Sequence, residues 1–199
     1  MRNLLQLNTS IFGADGQSSR LANAFVEQMR ASESFNVTFR DLGAEPVPHL
    51  TAEVAGAALT PIAERTPEQQ AKAALADALI DELAAADVIV LGLPMYNFSV
   101  PSALKAWFDH VARAGTTFRY TESGPEGLLG DKKVFVFAAR GGTYAGTDAD
   151  LQTPYIRQFF GLLGIEEVEF VYAEGLNLGE DSKQAALAKA DTELRDLAA

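Results

Sequence analysis

The run Val88-Ile89-Val90-Leu91-Gly92-Leu93 carries no polar side chain. A strand this apolar has no face to offer water, so it belongs at the centre of a sheet covered on both sides. Such sheets are built from parallel strands joined by crossover helices. The rest of the chain supplies that alternation. Leu4–Leu7 and Val134–Phe137 are further short apolar runs. Phe35–Arg40 alternates apolar and polar residues, as a half-exposed strand does. Glu167–Ala173 puts Val168, Phe170 and Tyr172 on one face and Glu169 and Val171 on the other.

Helical patterns fill the gaps. Ser18–Ser32 carries Leu21, Ala22, Phe25, Val26 and Met29 at helical spacing. Thr66-Pro67-Glu68-Gln69 predicts a capping box with proline in the first turn, opening a helix that runs to about Ala85. Pro101–Arg113 places Leu104, Trp107, Phe108 and Val111 at i, i+3, i+4 and i+7. Leu151–Leu163 is stopped by Gly164. Ser182–Leu197 closes the chain with Asp181 as N-cap. Trp107 and Phe108 are adjacent and cannot share one helix face, so one is assigned to the core and the other to an interface. His110 is read as a surface or interface side chain.

Five strands alternating with five helices predict an α/β, doubly wound, five-stranded parallel sheet with helices on both faces. The half-polar second strand suits an edge, which favours the order 2-1-3-4-5. Two segments exceed this alternation, Gly43–Arg65 and Ala114–Lys133, and both read as long loops. Residues 1–199 are expected to form a single domain.

Composition removes several function classes. The chain has no cysteine, which excludes disulfides, thiolate catalysis, cysteine-ligated zinc and iron–sulfur clusters. Its two histidines, His49 and His110, argue against a histidine-rich centre, so no metal is expected. Sixteen basic against 27 acidic residues give a net charge of −11, which disfavours nucleic acid as a partner. The opening Met1-Arg2-Asn3 leads into an apolar stretch too short for a secretory signal, and no apolar run approaches the ~20 residues needed to span a bilayer. A cytoplasmic protein without membrane association is the expectation.

In open α/β sheets, ligands bind at the carboxyl ends of the strands where the strand order reverses. Three loops reach that place. The first, Asn8–Ser19, is rich in hydroxyls and glycine and opens a helix. Ser10, Ser18 and the Gln17 amide there suit a phosphate at a helix N-terminus, although an ordinary capped loop has the same composition. It has neither the Gly-Lys-Ser/Thr of a P-loop nor a Gly-x-Gly-x-x-Gly turn. The second, Pro94–Pro101, offers backbone N–H groups to a flat polar ring, with Tyr96 and Phe98 as apolar walls. The third, Ala139-Arg140-Gly141-Gly142-Thr143-Tyr144, lets backbone approach a ligand closely. A flavin mononucleotide (FMN) fits the three together, its phosphate at the first helix and its ring between the other two loops.

Pro94-Met95-Tyr96-Asn97-Phe98, Trp107-Phe108-Asp109 and the stretch from Arg113 through Phe118, Tyr120 and Gly127 to Leu128 resemble the FMN-dependent NADH-azoreductases. These are flavodoxin-like enzymes related to the NAD(P)H quinone oxidoreductases. Arg140-Gly141-Gly142 and Ala173-Glu174-Gly175 match in order and spacing. The likeness covers nearly the whole chain. It implies a flavodoxin-like fold and a homodimer with two FMN sites at the subunit interface, one FMN per subunit. It implies that Ser10, Gly16, Gln17 and Ser18 hold the phosphate. Met95, Tyr96, Asn97 and Phe98, with Ala139, Arg140, Gly141 and Gly142, would hold the ring. Phe98, Phe118 and Tyr120 would face the substrate. Gly16 and Ala139 stand where relatives often carry a hydroxyl residue, and Glu53–Arg65 matches poorly, which leaves substrate preference open.

The expected function is an FMN-dependent NAD(P)H oxidoreductase. NADH or NADPH would reduce the bound flavin, which then reduces quinones or cleaves azo bonds by ping-pong hydride transfer. Flavin carries the chemistry, so no catalytic acid, base or nucleophile is assigned. Backbone donors at Arg140–Gly142 and the Tyr144 hydroxyl are candidates to stabilise negative charge on the reduced ring. Arg140 either adds positive charge there or is a solvated surface arginine. A flavodoxin-type electron carrier is the alternative, and the acidic balance suits it. A receiver domain lacks its acidic cluster, since Asn8, Thr9 and Ser10 stand after strand one. A low-molecular-weight phosphatase lacks its cysteine.

Overall fold

All seven residues of the Val88–Pro94 strand are buried, as a continuously apolar run requires. The computed structural model describes residues 1–198. In chain order the elements are β1 (Arg2–Asn8), α1 (Gln17–Ser32), β2 (Phe35–Asp41), α2 (Ala52–Leu59), α3 (Pro67–Ala85), β3 (Val88–Pro94), α4 (Ser102–Val111), β4 (Phe118–Thr121), β5 (Gly124–Gly127), β6 (Lys133–Ala139), α5 (Gln152–Leu162), β7 (Glu167–Ala173) and α6 (Glu180–Ala198). The main sheet has the order β2-β1-β3-β6-β7, and every pairing within it is parallel. This is the expected 2-1-3-4-5 arrangement. The switch in direction falls between β1 and β3, whose ends carry the first two loops.

Period-two alternation divides the strands between two cores. Leu5 and Leu7 of β1, Ile89, Leu91 and Leu93 of β3, and Val134 and Val136 of β6 pack with α3, α4 and α5. Leu4, Val88, Val90, Phe135, Phe137 and Val171 pack against α1 and α6 on the other face. Phe25 of α1 sits between Phe135 and Phe137, with ring centroids at 4.6 and 5.0 Å. Each large apolar side chain buried in this way contributes about 1.5–3 kcal/mol.

The local signals work as their chemistry dictates. The Thr66 hydroxyl accepts from the Gln69 N–H at 3.2 Å, and the Gln69 side-chain oxygen accepts from the Thr66 N–H at 2.9 Å, completing the capping box with Pro67 at the first turn. Gly164 ends the helix before it at φ +86°. Asp181 lies inside the first turn of α6 rather than at its cap. It still favours the positive end of the helix dipole there.

Four further assignments are corrected. The segment Gly43–Arg65 is not simply loop: it contains α2, whose Thr51 cap accepts from the Val54 N–H at 3.3 Å, and a 3-10 turn at Ile62–Glu64. Its sequence, AEVAGAAL, has no amphipathic stripe, so periodicity does not reveal it. Ala114–Lys133 likewise holds the antiparallel β4–β5 hairpin. Its strands are four residues long, and β5 carries two glycines and a proline, all of which argue against a strand in sequence.

Trp107 and Phe108 are both buried within this chain. Helix α4 has apolar neighbours on more than one side, so adjacent residues about 100° apart both find cover. Phe108 stacks on Phe159 at 3.7 Å. His110 is also buried, because the segment before α2 folds back over α4 and sets the Pro48 carbonyl 3.0 Å from Nε2.

Candidate active site

The three carboxyl-end loops converge on two neighbouring cavities. One, about 380 Å³, is lined by Met95, Asn97, Phe98, Gly141, Gly142, Tyr144, Asn177 and Leu178. The other, about 310 Å³, reaches Ser10, Gly16, Gln17, Tyr96, Ala139, Arg140 and Lys183. Met95, Gly141 and Asn177 border both. Of the thirteen expected cofactor residues, twelve line one cavity or the other. Ser18 is the exception; it is buried beside Gln17, and its hydroxyl has no hydrogen-bond partner.

At the start of α1, the N–H groups of Gln17, Ser18 and Ser19 find no acceptor among the described residues. These are the unpaired donors of a helix N-terminus, and they sit at its positive end. The Ser10 hydroxyl accepts from the Phe12 N–H at 3.2 Å and lies 3.3 Å from the Tyr96 hydroxyl, tying the first loop to the second. A Cβ at Gly16 would overlap the Ser10 side chain, so glycine keeps this end open.

The second loop is a tight reversal. Tyr96 and Ser99 exchange backbone hydrogen bonds at 3.2 and 3.1 Å. Asn97 and Phe98 between them have φ of 51° and 65°. Positive φ at both central positions is the pattern of a type I′ turn, which ordinarily takes Asn-Gly. A phenylalanine there costs about 1–2 kcal/mol of backbone strain. Its ring is nonetheless 50% exposed and meets the Tyr144 ring edge-on at 5.6 Å. The N–H groups of Asn97 and Phe98, and of Gly141 and Gly142 opposite, have no acceptor among the described residues. A Cβ at Gly142 would lie 2.6 Å from the Tyr144 hydroxyl, and one at Gly141 2.5 Å from the Asn177 amide. A larger residue at either position would have to displace the end of the Tyr144 or Asn177 side chain.

Arg140 is neither a charge donated to the cavity nor a solvated side chain. Its guanidinium is 0% exposed. It donates to Gln152 at 3.2 Å, Glu174 at 3.0 Å, Asp150 at 2.9 Å and Thr153 at 3.2 Å. Burial pushes the Asp150 carboxyl upward, but the Thr153 N–H and hydroxyl and the Arg140 guanidinium outweigh it and hold its pKa below the usual value. Glu174 also accepts the Tyr144 and Ala145 N–H groups, each at 2.9 Å. Gln152 donates to the Pro94 and Ser99 carbonyls, both at 3.0 Å. One buried cluster thus fixes the second and third loops together. Gln152, Glu174, Asn177 and Lys183 escaped the sequence analysis as site residues. Only Glu174 had a signal, as part of the Ala173-Glu174-Gly175 match.

Phe118 and Tyr120 are not brought to these cavities. Phe118 is buried beside Leu50, Leu59 and His110 in a separate apolar pocket. Tyr120 projects from the hairpin with 76% of its surface exposed. Among the described residues no cluster of metal-ligating side chains occurs, and no helix is long and apolar enough to cross a membrane.

These features fit FMN on physical grounds. Unpaired N–H donors at a helix N-terminus suit a phosphate, and two backbone edges with free N–H groups flank a slot between aromatic walls. Comparison with known proteins agrees. A family model described as flavodoxin-like fold matches residues 2–198. An FMN-dependent NADH:quinone oxidoreductase of Alcanivorax borkumensis is 58% identical over 193 residues, covering 96% of this chain and 98% of that one. A crystal structure of an azoreductase from Bacillus anthracis superposes with a TM-score of 0.90 at 28% identity, covering 100% of this chain and 99% of that one. An FMN-dependent NADH-azoreductase from Bacillus anthracis in complex with FMN superposes with a TM-score of 0.86 at 27% identity over 100% of both chains. With its flavodoxin-like sheet, this chain belongs to the FMN-dependent NADH:quinone oxidoreductase and azoreductase family.

Proposed function

We propose that this protein is an FMN-dependent NAD(P)H oxidoreductase that reduces quinones and cleaves azo bonds, acting as a homodimer in which each chain is one FMN-binding unit. The observation that carries this reading is the pair of adjoining cavities at the switch point, with free backbone donors at both ends. FMN supplies the hydride chemistry when bound. The chain's work is then to bind, orient and shield.

Gln17, the Ser10 and Ser18 hydroxyls and the first turn of α1 take the phosphate. Met95, Asn97 and Phe98 on one side and Gly141 and Gly142 on the other take the ring edges. The N–H groups of Gly141 and Gly142, with the Tyr144 hydroxyl beside them, stabilise negative charge that builds on the ring. Phe98 and Tyr144 form an apolar wall for a flat acceptor. Nucleotide and acceptor use the same cavity in turn, which makes the kinetics ping-pong. No side chain in the cavities has the geometry of a dedicated acid or base, so protons come from water.

The homodimer is supported by apolar side chains left exposed on one region of the chain. Leu59 ends α2 and Ile62 follows it, Tyr120 lies on the hairpin, and all three are well exposed. In the proposed dimer the hairpin of one chain delivers Tyr120 to the substrate face of its partner.

The test is an anaerobic visible spectrum of the FMN-reconstituted protein before and after one equivalent of NADH. Flavin bands that bleach promptly, and recover on adding a quinone or an azo dye, are the expected result. Flavin that binds but bleaches with neither NADH nor NADPH would make the chain an electron carrier. Failure to bind flavin would overturn both readings. Light scattering on the holoprotein checks the dimer.

A further inference from the structure

The cavity at the start of α1 contains a cation that no motif identified. Lys183, in the first turns of α6, lines it together with Ser10, Gly16 and Gln17. Two other charged residues border the same space. Arg140 is sealed against Asp150 and Glu174 and is electrically spent. Asp15 points the wrong way in charge; it is held only by an exposed pair with Arg20 at 3.2 Å. The ammonium of Lys183 makes no ion pair among the described residues. Its own first-turn neighbours Glu180 and Asp181 do not engage it.

The opposite wall lacks a balancing charge. Gly16 offers no side chain, and Ser10, Gln17 and Ser18 are neutral. Positive character on that wall comes from the three unpaired N–H groups of α1. A phosphate monoester carries about −1.5 to −2 charges at neutral pH, more than a helix end of about half a charge balances.

We propose that Lys183 is the counter-charge for the flavin phosphate, reaching across the cavity from α6 to face the N-terminus of α1, and that it makes the site select the phosphorylated flavin over riboflavin. This rests on the FMN reading above. Asp15 at the rim opposes it and weakens phosphate binding slightly. Lysine suits the task as a flexible point charge rather than a planar fork, and its long stem lets α6 contribute without its backbone approaching the ligand.

The experiment measures dissociation constants for FMN and for riboflavin by quenching of flavin fluorescence, in wild type, Lys183→Gln, Lys183→Arg and Asp15→Asn, at low and high salt. Lys183→Gln is expected to weaken FMN about tenfold while leaving riboflavin unchanged, as loss of one charge-assisted contact does. Lys183→Arg should restore most of the FMN affinity. Asp15→Asn should tighten FMN about two- to threefold, within the range of exposed charge effects. The preference of wild type for FMN over riboflavin should shrink as salt rises from about 0.05 to 0.5 M.

An unchanged FMN constant in Lys183→Gln overturns the proposal. Equal weakening of FMN and riboflavin also overturns it, since that marks a structural role for Lys183. Wild type that binds neither flavin defeats the FMN reading itself, a failure visible before any substitution is made.

Discussion

Replacing Arg140 by methionine tests the cluster that ties the second carboxyl-end loop to the third. Methionine fits the volume of the stem but removes four hydrogen bonds, to Gln152, Glu174, Asp150 and Thr153. It leaves Asp150 and Glu174 with side chains only 6% and 12% exposed and no cation between them. Removing one member of a buried ion pair costs about 3–5 kcal/mol, because the remaining charge is stranded. For a chain of this size each kcal/mol moves Tm by about 2–4 °C, so Arg140→Met should lower Tm at pH 7 by about 6–20 °C.

The sign of its pH dependence follows from Asp150. In wild type this carboxyl is held below its ordinary pKa. Its contribution to stability is therefore present above the unfolded pKa and is lost as pH falls through the lower folded value. Without Arg140 the folded-state pKa rises, and acid neutralises the stranded carboxylates. The Tm gap between wild type and Arg140→Met should consequently narrow as pH falls from 7 towards 4.5, and Arg140→Met/Asp150→Asn should regain part of the loss at pH 7. Thermal melts across that pH range read both effects. A loss below about 3 °C at pH 7, or a gap that widens in acid, would refute the argument that this cluster carries its charge-compensated role.

Other perturbations probe different elements. Phe98→Gly relieves the positive φ of the turn but removes the Tyr144 contact, so stability should change by less than about 1 kcal/mol while quinone turnover falls; melts and steady-state kinetics separate the two. Gly127→Ala drives a methyl into the Gly164 backbone, prying the hairpin from the end of α5. It should cost about 1–3 kcal/mol and raise KM for the acceptor with FMN affinity preserved in equilibrium titration. Asp77 accepts from Arg65 and Arg113, each at 2.5 Å. Burial works against its ionisation, but the two guanidiniums prevail and lower its pKa, so Asp77→Asn should lose stability at pH 7 in calorimetry, with the deficit shrinking in acid. The Trp107 indole N–H is buried without a partner; Trp107→Phe removes that orphan donor and should cost less than about 1 kcal/mol in denaturant unfolding, because the relieved desolvation offsets the lost volume.

The sequence located the sheet, its order and five of its helices well, because each helix buries an apolar stripe and the central strands are apolar on both faces. Helix α2 and the β4–β5 hairpin were invisible in it. The first is alanine-rich on every side, and the second is too short and too rich in glycine and proline. The Pro94–Phe98 and Arg140–Gly142 loops could be placed at the carboxyl ends of β3 and β6 because the apolar strands before them were legible. Gln152 and Asn177 were not, since an amide side chain in a helix or loop has no sequence signature until its partners are known.

The division is a matter of range. Local chemistry alone settled the capping box at Thr66, the stop at Gly164, the buried character of Val88–Leu93 and the exclusion of thiol chemistry. Those depend on residues within a few positions of one another, or on a count. The fate of Arg140 depended on carboxylates 10 and 34 positions away, and that of His110 on a carbonyl 62 positions away. The place of Lys183 depended on a crossing from α6 to the mouth of α1. A charge's role is set by what surrounds it in three dimensions, and for these side chains only the folded sheet brought those surroundings together.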